Sequence, residues 1–217
     1  MSAATDGAAI LAACRAMNAS GLNQGTAGNI SMRDGDGMLI TPSGVPYDDA
    51  TPEMMVPVAA DGTPTGRLKP SSEWRMHLDI YRAHARAQSV VHVHSPYATA
   101  LSCHRRGIPA FHYMVAVAGG ADIRCADYAT FGTQELSDAM LAALEGRTAC
   151  LLANHGQIAF GPSLDKTLAL AHEVETLARQ YLIARALGEP AQLDGAEMGR
   201  VLALFADYGH QPDAEPG

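Results

Sequence analysis

The chain has 217 residues, 47% hydrophobic and 18% charged, enough for one compact globular domain with a sizeable core and too apolar for a disordered segment. Its formal net charge of -8 argues against a nucleic-acid partner, which would need a basic face, although a single phosphate can still be held locally by backbone N–H groups and hydroxyls. The four cysteines, Cys14, Cys103, Cys125 and Cys150, form no Cys-x-x-Cys pair, so neither a disulfide framework nor a thiolate metal site is indicated.

Met1 to Leu11 lacks the pattern of a signal peptide, and no apolar run is long enough to cross a bilayer. The expectation is a cytoplasmic protein with no membrane partner. Ile10, Leu11, Cys14 and Met17 predict a helix over 8–19, stopped at Gly21. The polar turn Asn23-Gln24-Gly25-Thr26-Ala27-Gly28-Asn29 follows, then two short strands, 30–32 and 38–41, around Asp34-Gly35-Asp36-Gly37, a hairpin signature. A second turn comes at Pro42-Ser43-Gly44. Loop residues fill 61–70, after which Trp74, Leu78 and Tyr81 recur at helical spacing, with Ser71 or Ser72 placed as N-cap and Glu73 in the first turn.

Residues 89–94 alternate as a strand, and 149–160 read as a second one broken by Asn154-His155-Gly156. The spacing predicts a long amphipathic helix over 163–187 and a short one over 196–205, with 209–217 a frayed tail. No repeat or linker interrupts the chain. The expected fold is α/β, a single domain over 1–217 with a largely antiparallel sheet.

His92 and His94 are two apart on a strand, so both imidazoles project to one face while Val91 and Val93 take the other. Such a pair suits half of a divalent-metal site and equally a solvated strand face. His155, beside Gly156 in a strand interruption, is either a third ligand or an ordinary turn residue. The histidines at 77, 84, 104, 112, 172 and 210 read as structural. Ser71 and Ser72 at a helix start suit an anion or simple capping, and the Gly25 to Asn29 turn could cradle a phosphate, though it lacks the Gly-Lys-[Ser/Thr] ending of a P-loop.

In one order these segments resemble the class II aldolase and adducin family, in particular its fuculose-phosphate aldolase branch. The resemblance rests on Gly21 to Asn29, Pro70-Ser71-Ser72-Glu73-Trp74-Arg75, Val91-His92-Val93-His94, Ile108 to Met114, Tyr128 to Thr133, Asn154-His155-Gly156 and Leu170 to Glu175. It implies a three-layer α-β-α domain and one Zn2+ per subunit, or another divalent ion, held by His92, His94 and His155, with Glu73 as fourth ligand and acid/base. It implies phosphate contacts at Thr26, Asn29, Ser43, Gly44, Ser71 and Ser72, and an aldehyde pocket shaped by Phe131 and Tyr208. Tyr113 matches the family's catalytic tyrosine, contributed across a subunit boundary of a cyclic homotetramer.

The implied activity is reversible cleavage of a ketose 1-phosphate, fuculose-like or a 5-deoxy or 5-methylthio pentulose, to dihydroxyacetone phosphate and a small aldehyde. Related epimerases tend to carry Asp where this chain has Glu73, a methylthioribulose-phosphate dehydratase shares the histidines, and an adducin-like module would have no need of them.

Overall fold

The computed structural model describes residues 3–207. In chain order the elements are α1 (Ala3–Ala19), β1 (Asn29–Asp34), β2 (Gly37–Ile40), β3 (Val56–Val58), α2 (Trp74–Ala83), β4 (Ser89–Val93), α3 (Pro96–Cys103), β5 (Cys125–Ala126), α4 (Gln134–Ala143), β6 (Ala149–Leu152), β7 (Gly156–Gly161), α5 (Leu164–Ala186) and α6 (Gly195–Asp207). The seven strands form one sheet in the order β3-β2-β1-β4-β7-β6-β5. Every neighbouring pair is antiparallel except β5 with β6.

The alternation of side chains sorts the core into two layers. Val91 and Val93 of β4, Leu151 of β6 and Ala159 of β7 pack with Ile10, Met17, Ala171 and Val174, so α1, α3, α5 and α6 cover one face. Val90, Leu152, Ile158 and Phe160 pack with Met76, Ile80, Leu136 and Met140, which places α2 and α4 on the other. Fully burying a valine such as Val91 or Val93 contributes roughly 1.5–3 kcal/mol, enough to fix the register of β4 and hence the face of its histidines.

The β1–β2 hairpin closes as expected, Asp34 pairing with Gly37 across a two-residue turn. The interrupted strand over 149–160 is two strands: β6 and β7 fold back on each other, Leu152 opposite Gly156, with Asn154 in a left-handed conformation (φ 55°) at the bend. The expected helix over 163–187 is α5, its N-terminus capped by Ser163, which accepts from the Lys166 N–H.

The start of α2 differs from the expectation. Neither serine is the N-cap, because Pro70 bridges to Pro42 and the Ser71 N–H donates to the Thr41 carbonyl (2.9 Å), holding the chain extended. A turn from Ser71 to Trp74 then delays the helix, so Glu73 stands just ahead of α2 rather than in its first turn.

Candidate active site

β4 sits at the middle of the sheet between β1 and β7, with His92 near its C-terminal end and His94 just beyond it. Asn29, the first residue of β1, pairs directly with His92, and the β6–β7 bend brings His155 from the other side. Glu73 descends from the turn before α2. One donor atom from each of Glu73, His92, His94 and His155 lies within 4.8 Å of all the others.

Two glycines permit this convergence. A Cβ on Gly28 would lie 2.6 Å from the His92 carbonyl oxygen, and one on Gly156 would lie 2.5 Å from that of Val93. Tyr47, buried beneath the Gly25 to Asn29 turn, donates its hydroxyl to the Gly28 carbonyl (2.5 Å) and fixes that turn in place.

The donor set fits a cation. Nδ1 of His92 faces the Gln157 carbonyl at 2.8 Å and must carry the proton there, since a carbonyl only accepts. The lone pair of the neutral ring is therefore on Nε2, aimed at Glu73 Oε2 (3.0 Å) and His94 Nε2 (3.1 Å). On the other side His155 Nε2 stands 3.1 Å from Glu73 Oε1, a buried oxygen with no hydrogen bond. Imidazole lone pairs and a carboxylate turned on one another repel unless a positive ion sits among them, and three nitrogens with one oxygen suit a borderline-soft divalent metal.

The electrostatics agree. In the metal-free site burial raises the Glu73 pKa, but the positive charge that His92 and His155 carry when protonated, and the bonds they then donate, hold it well below the usual carboxylate range, so it is an anion although only 4% exposed; a metal ion would supply the same positive charge with both rings neutral. His92 is lowered by burial and raised more by Glu73, with a net upward shift. Burial, then repulsion from His92 and His155, pushes His94 down to about 4, leaving it neutral and free to ligate.

A cleft of about 350 Å³ opens over this cluster, bordered by Thr26, Ser72, His94, Tyr128, Phe131 and Asn154. A larger groove of about 870 Å³ between α1 and the start of α5 has no histidine in its lining. The loop holding Ser43 and Gly44 is stitched to the one holding Ser71 and Ser72, as the Ser43 N–H donates to the Lys69 carbonyl (2.9 Å). Ser71 is buried with its hydroxyl accepting from the Glu73 N–H (3.3 Å), and Asn29 Nδ2 donates to Glu73 Oε2 (3.2 Å).

Of the expected site residues, Thr26, Asn29, Ser71, Ser72, Glu73, His92, His94, Phe131 and His155 thus surround or adjoin one cleft, with Ser43 and Gly44 on the loop stitched beside it. Tyr113 does not line it; the residue begins a 3-10 turn, 51% exposed, its ring stacked on His112. Tyr208 lies outside the described residues. Tyr128, Asn154 and His77 were not singled out from the sequence, although His77 follows Glu73 by four, the spacing of neighbours on one helical face.

Residues 8–182 match the family model described as Class II Aldolase and Adducin N-terminal domain. The chain is 53% identical over 200 residues to a 5-methylthioribulose-1-phosphate/5-deoxyribulose-1-phosphate aldolase of Rhodospirillum rubrum, covering 92% of this chain and 90% of that protein. It is 49% identical over 201 residues to the L-fuculose phosphate aldolase of Escherichia coli K12, covering 92% and 94%. A solved structure of L-fuculose 1-phosphate aldolase superposes with a TM-score of 0.90 at 38% identity, covering 93% of this chain and 96% of that one. With these matches spanning nearly its whole length, the chain belongs to the class II aldolase and adducin family.

Proposed function

We propose that this chain is a zinc-dependent aldolase that reversibly cleaves a ketose 1-phosphate into dihydroxyacetone phosphate and a small aldehyde. The observation that carries the reading is the cluster of His92, His94 and His155 facing a buried, ionised Glu73 at the floor of an open cleft. Class II aldolases are metal-dependent, and a module without chemistry has no use for a carboxylate held among three imidazoles. His92, His94 and His155 hold the ion, and Glu73 completes its shell until substrate enters. When bound, the ion supplies the Lewis acid that draws the electrons of the breaking carbon–carbon bond toward the ketose oxygens.

The remaining roles fall to side chains. The Asn29 amide and the hydroxyls and N–H groups of Thr26, Ser43, Gly44, Ser71 and Ser72 hold the phosphate beside the start of α2, where unpaired N–H groups favour an anion. Tyr113 takes the proton from the hydroxyl that becomes the aldehyde oxygen and passes it to solvent, while Glu73, displaced as substrate enters and protonated from solvent, delivers that proton to the carbon that becomes part of dihydroxyacetone phosphate and ends as the carboxylate again. Because Tyr113 is exposed and stands away from its own cleft, it serves the site of a neighbouring copy in a cyclic homotetramer. Phe131 and Tyr208 shape the aldehyde end.

The names of the relatives point to two substrate types, L-fuculose 1-phosphate and the 5-methylthio- or 5-deoxypentulose 1-phosphates, the latter placing the enzyme in nucleoside salvage. A cytoplasmic setting accords with the buried free thiols of Cys14 and Cys150, and no helix among the described residues is long and apolar enough to cross a membrane. The test is to incubate the zinc-loaded protein with each ketose 1-phosphate and assay dihydroxyacetone phosphate. Release from at least one supports the reading, and epimerised or dehydrated product without any release overturns it.

A further inference from the structure

Beneath the cluster runs a buried chain of five side chains that leads from Glu73 between β1 and α2 to Tyr81. Asn29 Nδ2 lies 3.2 Å from Glu73 Oε2, Asn29 Oδ1 lies 2.6 Å from His77 Nε2, His77 Nδ1 lies 2.8 Å from Ser31 Oγ, and Ser31 Oγ lies 2.8 Å from the Tyr81 hydroxyl. His77 and Ser31 are wholly buried, and Asn29, Glu73 and Tyr81 are nearly so.

The direction of every bond follows from its end. An ionised carboxylate only accepts, so the nitrogen of the Asn29 amide must face Glu73 and its oxygen must face His77. That oxygen also only accepts, so the ring proton of His77 is on Nε2 and Nδ1 carries the lone pair. Ser31 then donates to Nδ1 and receives from Tyr81. All donors point toward Glu73, and each bond polarises the next. The chain does not conduct protons, because a carboxamide passes one on only through a disfavoured imidic acid.

We propose that His77 is a positioning residue that locks the Asn29 amide with its nitrogen toward Glu73 and the anion side of the cleft. A free asparagine amide has two orientations of similar shape. The flipped one would turn Oδ1 against the carboxylate and, on the function proposed above, against the incoming phosphate. The Nε2–H of His77 removes that alternative, since flipping would set N–H against N–H where His77 is wholly buried and Asn29 nearly so. One Asn29 N–H then serves Glu73 Oε2 and the second is left for the phosphate, while Oε1 faces His155 Nε2 at 3.1 Å.

Two measurements test this. Nitrogen-15 NMR of the histidine rings, on zinc-loaded and zinc-stripped protein, should show His77 neutral with its proton on Nε2; a proton on Nδ1 overturns the proposal whatever the substrate. Second, His77→Leu should keep zinc but lose about tenfold in affinity for inorganic phosphate and about tenfold in kcat, whereas His77→Gln, which can still offer an N–H to Asn29, should stay within about threefold on both. A folded, zinc-loaded leucine variant with wild-type phosphate binding and kcat overturns it, and if that variant does not fold the ring tautomer decides. Failure of the aldolase reading would look different: the wild type would release no dihydroxyacetone phosphate while the His77 tautomer stayed on Nε2.

Discussion

Gly156, at the start of β7, lies so close to Val93, at the end of β4, that any side chain at 156 would collide with the Val93 carbonyl oxygen, at 2.5 Å. The same Cβ would press on His94 Cδ2 at 3.2 Å. Gly156→Ala must therefore push apart the two strands whose ends adjoin His94 and His155. Overpacking of this kind costs about 1–3 kcal/mol of stability, and because the displaced atoms adjoin two of the histidines proposed to hold the ion, zinc stoichiometry should fall as well. Urea unfolding together with metal analysis checks this; a variant with normal stability and full zinc would mean the strands yield without moving the histidines.

Glu73→Gln keeps the shape of the side chain and removes its charge and its capacity to carry a proton. With three imidazoles still in place, the variant should retain zinc while losing about 10²–10⁴-fold in kcat, the range expected for a general acid/base. Its resting stability without metal should change less than its activity, because the amide nitrogen and oxygen can still bond to Asn29 and the histidines. Zinc retention with near-normal turnover would remove Glu73 from the chemistry.

Acid should destabilise the zinc-stripped protein in a defined window. Burial, with the charge of His92 adding to it and Glu73 opposing, lowers the His77 pKa to about 3, against a value near 6.5 in the unfolded chain. Between those values the unfolded state binds a proton that the native state refuses, so stability is full above about pH 6.5 and falls by about 1.4 kcal/mol per unit as pH drops toward 3. Glu73, held down in the native state, adds a loss of the same sign at the acid end, while His92, raised, works in the opposite direction near neutrality. Urea titrations at about pH 7, 6 and 5 measure the slope, and His77→Gln should flatten it. An equal slope in that variant would place the lost stability elsewhere.

How far the site could be read from the sequence depended on whether its cause was local. The period of two in β4 put His92 and His94 on one face before any fold was known, and the Asp34-Gly35-Asp36-Gly37 turn located the hairpin. Gly156 was legible as a close approach, though not as the start of a separate strand. By contrast, the helix start at Trp74 was set by the bridge between Pro42 and Pro70, a contact between distant segments. His77 looked structural because its partners Asn29 and Ser31 lie 48 and 46 residues away. The two-residue strand β5 and the helix α4, which buries little more than Leu136, Ser137, Met140 and Ala143, carried too short a pattern to register.

Phe131 and Tyr128 stand 65% and 55% exposed at the rim of the cleft, on the loop that Arg75 anchors by donating to the Gly132 carbonyl (2.9 Å). Neither ring contributes to the two hydrophobic cores, so removing one should barely change stability. On the function proposed above, in which Asn29, Ser71 and Ser72 hold the phosphate, both are placed to touch the other end of the substrate. A pocket that differs by one small apolar group discriminates by about 10–200-fold, so Phe131→Ala should shift the ratio of kcat/KM between L-fuculose 1-phosphate and 5-methylthioribulose 1-phosphate by about tenfold or more. The change should appear in the ratio rather than in phosphate affinity, since the anchoring groups are untouched. Steady-state kinetics on the two substrates, with inorganic phosphate as competitor, measure both quantities. An unchanged ratio would show that the Phe131 ring does not meet the aldehyde half.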